Sequence, residues 1–190
     1  MRLPVSPLSK VQREKLNAKG LRIGLVVSRF NQFITDRLHA GARDALHQSG
    51  ATDEQIETIF VPGSFELPIA AKKLAQTTKV DAIVCIGCVL RGETSHYDYV
   101  ASETARGILL AQMDTGVPMA FCVLTCDTLE QAIDRAGLKG GNKGYESALG
   151  AIEMARVAKK LRVPSRPKTN HHAGHSSRAK KAARKRPRNG

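Results

Sequence analysis

Four short apolar runs, each followed by a stretch with helical periodicity, constrain this chain more than any other feature. Residues 21–28 form the first, an almost unbroken apolar segment of the kind that a strand buried on both faces of a parallel sheet requires. Behind it, Ile34, Leu38, Ala42 and Leu46 stand four apart within residues 33–48, and Gly50 sits where a glycine ends a helix. Residues 58–61 predict a second strand. The turn Pro62-Gly63-Ser64 then leads into a helix with Pro68 in its first turn, where the missing N–H has no helical acceptor to lose. Residues 80–90 predict the most apolar strand, 91–95 a loop, 96–113 a helix and 118–124 a fourth strand. Residues 128–136 and 145–161 read as helices on either side of the glycine-rich 137–144. This order predicts a three-layer α/β/α sandwich with a four-stranded parallel sheet, and ligands of such folds lie beyond the carboxyl ends of the strands.

The 190 residues suffice for one domain with a sizeable core, and the formal charge of +13 is concentrated at one end. Residues 159–190 hold 12 Lys or Arg and no Asp or Glu, which leaves 18 basic against 17 acidic residues before them. The expected organisation is an N-terminal extension over 1–20, a nearly neutral domain over 21–161 and a basic tail over 162–190. That tail has too few apolar residues to fold alone and is expected to be disordered. Residues 1–19 lack the apolar stretch of a signal peptide, and no segment approaches the roughly 18 to 20 apolar residues of a membrane span. The expectation is a cytoplasmic protein with no membrane contact. Cys85, Cys88, Cys122 and Cys126 all lie in apolar runs and are expected to be buried, reduced thiols. The Cys85 and Cys88 spacing fits metal or redox chemistry, but an offset of three in a strand sends the two side chains to opposite faces.

The strand ends carry the chemistry. The first ends in Ser28-Arg29-Phe30-Asn31, placing an aromatic ring where a planar ligand stacks, or a core Phe, with Phe33 an equal packing candidate. The second ends in Pro62-Gly63-Ser64-Phe65-Glu66, a rigid turn that offers N–H groups and a hydroxyl to a polar ring edge. The alternative is a plain helix start with Ser64 as its cap. The third ends in Cys88-Val89-Leu90 and runs through Arg91-Gly92-Glu93-Thr94-Ser95-His96, a plausible anion seat at a helix start. Glu93 repels an anion, so its carboxylate is expected to turn away and its main chain to make the contact. His96 lies within reach as a proton-transfer group. His39 and His47 fall mid-helix and read as surface residues. The fourth strand carries Phe121; beyond it, Arg135 suits phosphate or is merely solvated, and Lys143 in the glycine-rich loop is equally ambiguous.

Together and in this order these segments resemble the 6,7-dimethyl-8-ribityllumazine synthases. The likeness runs from Gly20 to about Leu161 and includes Ser28-Arg29-Phe30-Asn31, residues 61–68, residues 87–100, Arg135-Ala136-Gly137 and Gly141-Asn142-Lys143-Gly144. It implies a flavodoxin-like fold and condensation of 5-amino-6-(D-ribitylamino)uracil with 3,4-dihydroxy-2-butanone 4-phosphate, giving the lumazine, phosphate and water. That is the penultimate step of riboflavin synthesis, and the resemblance implies no metal or organic cofactor. By motif, Phe30 stacks on the pyrimidine, Ser64, Phe65 and Glu66 hold the ring edge and ribityl chain, and Cys88, Val89 and Leu90 add main-chain contacts. Glu93, Thr94 and Arg135 hold the phosphate, His96 moves protons, Phe121 closes the pocket and Lys143 is a candidate support. The family also implies a homo-pentamer whose neighbouring subunits complete each site, and in some members a shell of twelve pentamers. Ser95 departs from the proline frequent at its position, Tyr97 and Phe65 are aromatic variants, and the tail lies beyond the family pattern.

Two other classes compete. Seven of the eleven residues 178–188 are Lys or Arg, which suits an oligomeric nucleic-acid-binding protein acting through its tail. A flavin-carrying electron-transfer protein is suggested by fold class alone. Against it, the first strand does not end in a Ser/Thr-rich phosphate loop.

Overall fold

The structure, a computed structural model, describes residues 16–77 and 79–161. Strand β1 (Ile23–Ser28) pairs in parallel with β2 (Ile56–Val61) on one side and β3 (Ala82–Leu90) on the other; β4 (Met119–Cys126) completes the far edge. The order β2-β1-β3-β4 gives the four-stranded parallel sheet expected from the alternation. All six residues of β1 are buried, because helices cover both faces of the sheet at its centre.

Helices α1 (Gln32–Gln48) and α5 (Lys143–Leu161) pack together over one face, and α2 (Leu67–Thr77) and α3 (His96–Thr115) over the other. The period of two in the strands sorts side chains accordingly. Leu25, Val27, Val84 and Ile86 join Leu38, Leu46 and Ile152 in one core; Val26, Ile83 and Cys85 join Leu67, Leu74 and Ile108 in the other. The short α4 (Leu129–Arg135) packs beside β4 on the α1/α5 side, with Ala132 in that core. α1 and α5 approach so closely that a Cβ at Gly144 would collide with the Leu38 carbonyl, so only glycine fits there.

Differences from the expected boundaries come from contacts distant in sequence. β2 begins at Ile56 rather than 58, after a 3-10 turn at Asp53–Gln55 whose Gln55 donates from Nε2 to the Leu21 carbonyl at 2.8 Å. β4 runs on to Cys126 because its pairing with β3 continues to Leu90 opposite Cys126. Phe33 is not a core residue: it is exposed, with the Arg37 guanidinium 3.8 Å above its ring. His39 is half-buried rather than superficial, set edge-on to Phe60 at 5.7 Å, whereas His47 is exposed. Among the described residues no helix is long and apolar enough to cross a membrane. The expectations for residues 1–15 and for the tail beyond residue 161 lie outside the described residues.

Cys85 and Cys88 point into different cores, on opposite faces of the sheet, and all four thiols are free and buried. Burial, with a smaller contribution from a neighbouring thiol, pushes Cys85 and Cys88 up to about 12; burial likewise carries Cys122 to about 12. Because the charged form of a thiol is the deprotonated one, this stabilisation is intact below the ordinary value of 9.0 and is lost as pH climbs from there towards 12. Cys85 and Cys122, the most deeply buried, are each expected to remove about 1 kcal/mol of stability at pH 10. Urea unfolding at pH 7 and pH 10 measures this, and a Cys85→Ala variant should show a correspondingly smaller loss between the two.

Candidate active site

The β1/β3 neighbourhood is where the chain order reverses, and in open parallel sheets that reversal leaves a crevice at the carboxyl ends of the strands. A cavity of about 610 Å³ lies there, within the range of small-molecule sites. Phe30 lines it from the end of β1, residues 63–66 from the turn after β2, residues 88–90 from the end of β3, and Thr94 and His96 from the start of α3. A larger cavity of about 780 Å³ lies elsewhere, against α1 and residues 133–145. Its charged groups, Arg37 and Asp44, both lie on α1 and no strand end contributes to it, so the smaller cavity carries the candidate chemistry.

Local physics explains how each group is presented. Phe30 is 68% exposed at the mouth, its N–H donating to the Pro62 carbonyl at 3.0 Å. The next residue, Asn31, adopts the left-handed conformation (φ 57°), which asparagine tolerates better than most side chains. Its Nδ2 donates to the Cys88 carbonyl at 2.9 Å, so one residue turns the chain into α1 and ties the end of β1 to that of β3. Cys88 buries its side chain in the α1/α5 core, which leaves its main chain to face the cavity.

In the turn after β2, the capping role that the plain helix-start alternative gave to Ser64 belongs to Glu66. Its Oε2 accepts the Gly63 N–H at 2.9 Å. Ser64 is 5% exposed and its hydroxyl has no hydrogen-bond partner among the described residues. A buried hydroxyl without a partner costs free energy that a ligand polar group at the cavity floor would recover. The space for it exists because residue 87 is glycine: a Cβ there would stand 2.6 Å from the Ser64 Oγ.

Glu93 is exposed and does not line this cavity, while Thr94 does. Sequence reasoning assigned no role to Asn31, nor to Tyr97, Tyr99 and Val100, which extend the aromatic and apolar wall along the first turns of α3. The signal for Tyr97 and Val100 was present in their spacing of three from each other, on one helical face just after His96.

Phe121, Arg135 and Lys143 are absent from this cavity. They meet around a separate hollow of about 220 Å³ along β4, one of the two edge strands of the sheet, with Thr125 and Ser147. There Phe121 is 45% exposed, Arg135 donates to the Gln131 carbonyl of its own helix at 3.2 Å, and the Lys143 ammonium pairs with Glu146. Within one chain the candidate residues therefore form two groups that share no lining residue. One group suits a stacked planar ring, the other an anion.

The family model described as 6,7-dimethyl-8-ribityllumazine synthase matches residues 20–159, a stretch that contains the whole sheet and both groups. The chain therefore belongs to the 6,7-dimethyl-8-ribityllumazine synthase family, transferases that form 6,7-dimethyl-8-ribityllumazine by condensation in riboflavin synthesis.

Proposed function

We propose that each working site is assembled from two copies of the chain. The cavity at the ends of β1, β2 and β3 of one copy takes the pyrimidine, and the Phe121, Arg135 and Lys143 hollow of a neighbour closes it at the phosphate end. The observation that carries this reading is the division of the candidate residues between two separate concavities, one of them on an open sheet edge. Exposed Phe65, Ile69, Tyr99, Leu109, Leu110 and Met113 along the α2/α3 side supply apolar surface of the kind that such an association covers. Because cavity and edge are different patches, the contact is heterologous and closes as a ring, for which the family's pentamer is the fitting assembly.

In this site Phe30 stacks on the uracil, the ring edge and ribityl chain meet the turn 63–66 with the Ser64 hydroxyl, and the main chain of Cys88, Val89 and Leu90 borders the ring. The free N–H groups around Glu93 and Thr94, the Thr94 hydroxyl and the neighbour's Arg135 receive the phosphate. The 5-amino nitrogen attacks the ketone carbon and water leaves as the imine forms. A proton then leaves the adjacent hydroxyl-bearing carbon as phosphate departs with the electrons of its C–O bond, and the resulting enol becomes a ketone. The ribityl-bearing nitrogen attacks that ketone, and loss of a second water closes the ring to the lumazine. His96 is the proton carrier for these steps. An amine and a ketone condense readily once held together, so positioning supplies much of the acceleration.

Lumazine formation, followed by its absorbance, tests these roles. His96→Ala is expected to lower turnover by about ten- to a thousandfold, because general acid–base help is bounded at about 10² to 10⁴. Arg135→Ala is expected to lower kcat/KM by about ten- to a hundredfold, mostly through KM for the phosphate substrate. Wild-type rates in folded Arg135→Ala protein would remove Arg135 from the site.

A second activity is favoured by charge alone: the 12 basic and no acidic residues of 159–190 suit weak binding of RNA. Retention on RNA at low salt should vanish when residues 163–190 are deleted, with catalysis unchanged; retention by the truncated protein would refute this.

A further inference from the structure

The stretch proposed to receive the phosphate is not held in shape by its own backbone. Among the described residues, the N–H groups from residue 92 to residue 97 donate to no main-chain carbonyl, and the first bond of the turn is Asp98 N–H to Ser95 at 3.0 Å. An array of N–H groups free to face an anion also lacks internal bonds to fix its curvature. The anchoring comes from the residue immediately before it. The Arg91 N–H donates to the Cys126 carbonyl at 2.9 Å, its Nε to Asp127 Oδ1 at 2.8 Å and its Nη1 to Asp98 Oδ1 at 3.2 Å. The guanidinium also lies 4.1 Å from the centre of the Tyr97 ring.

One side chain thus joins the end of β3 to the residue after β4 and to the first turn of α3, on either side of His96. These ion pairs are solvent-exposed, and exposed pairs add little to stability. Their value is geometric: they span the strand ends and the helix start that bracket the loop. Two carboxylates hold the Arg91 charge, so it is not free to act as a phosphate ligand itself.

We infer that Arg91 is a positioning residue that holds residues 92–95 and the His96 turn in the shape that receives the phosphate. The inference rests on the phosphate reading of Glu93 and Thr94. A lysine cannot substitute, because one ammonium cannot bond two carboxylates in a planar fork while stacking on Tyr97.

The test compares Arg91→Lys and Asp127→Asn in the full-length protein, using inorganic phosphate as competitive inhibitor, KM for each substrate, and binding of the phosphate-free lumazine. In Arg91→Lys, Ki for phosphate and KM for the phosphate substrate should rise about tenfold, while lumazine affinity and the pyrimidine KM stay within about twofold. Asp127→Asn, which keeps Asp98 and Tyr97 in place, should give the same pattern at about threefold and carries the test if Arg91→Lys does not fold. Unchanged phosphate inhibition, or lumazine affinity lost in parallel, would overturn the inference. Arg135→Ala separates the two layers of the argument. If phosphate inhibition weakens there but not in the Arg91 and Asp127 variants, only Arg91 is misassigned; if it weakens in none, the phosphate site is elsewhere.

Discussion

The position of β1 between β2 and β3 is the constraint on which the rest of the molecule depends. A strand buried on both faces needs a helix layer on each side, so α1 leaves towards one face while α2 and α3 cover the other. The chain must therefore part at the carboxyl ends of β1 and β3, and that parting is the cleft. Asn31 stitches it at its base with the bond to Cys88, in a backbone conformation that few other side chains adopt cheaply.

What the cleft offers is modest in chemical power: an aromatic face, main-chain polar groups, one unpartnered hydroxyl and one imidazole. That suits a condensation limited by bringing two molecules together, where orientation contributes more than any single strong acid or base. The candidate anion-binding side chains Arg135 and Lys143 lie outside that cleft, beside the edge strand β4, where the proposed assembly places them against a neighbour. A sheet with only four strands leaves that edge open, and exposed Phe121 marks it.

Much of the fold was legible because buried parallel strands and one-sided helices have different periods. The strands at 21–28 and 80–90 announced themselves by their unbroken apolar runs. The limits of β2 and β4 did not, since Gln55 reaching Leu21 and the β3 pairing of Cys126 are tertiary contacts. Among the cavity-lining residues, Phe30, Ser64 and His96 stood out by their places after strands, and Phe121 and Arg135 of the second hollow by theirs on and after the fourth strand; the family motifs gave all of them roles. That Phe121 and Arg135 face the other residues across an interface was implied by the family resemblance alone; periodicity could not give it, because sequence order does not say that β4 lies at an edge. The capping of this turn by Glu66, and the Ser64 hydroxyl buried against Gly87 of the next strand, were not readable because tertiary packing sets them. Phe33 and His39 were misplaced for a related reason: their surroundings, Arg37 and Phe60, are set by helix phase and by the neighbouring edge strand.

The most direct measurement is complementation between two defective chains, one carrying Phe30→Ala with His96→Ala and the other Arg135→Ala. Co-produced in equal amounts, random assembly into rings should restore about a quarter of the sites to wild-type composition, with activity rising towards that fraction of wild type. Activity no greater than the mean of the two separate variants would mean that each site is built within one chain, and would contradict the shared-site account.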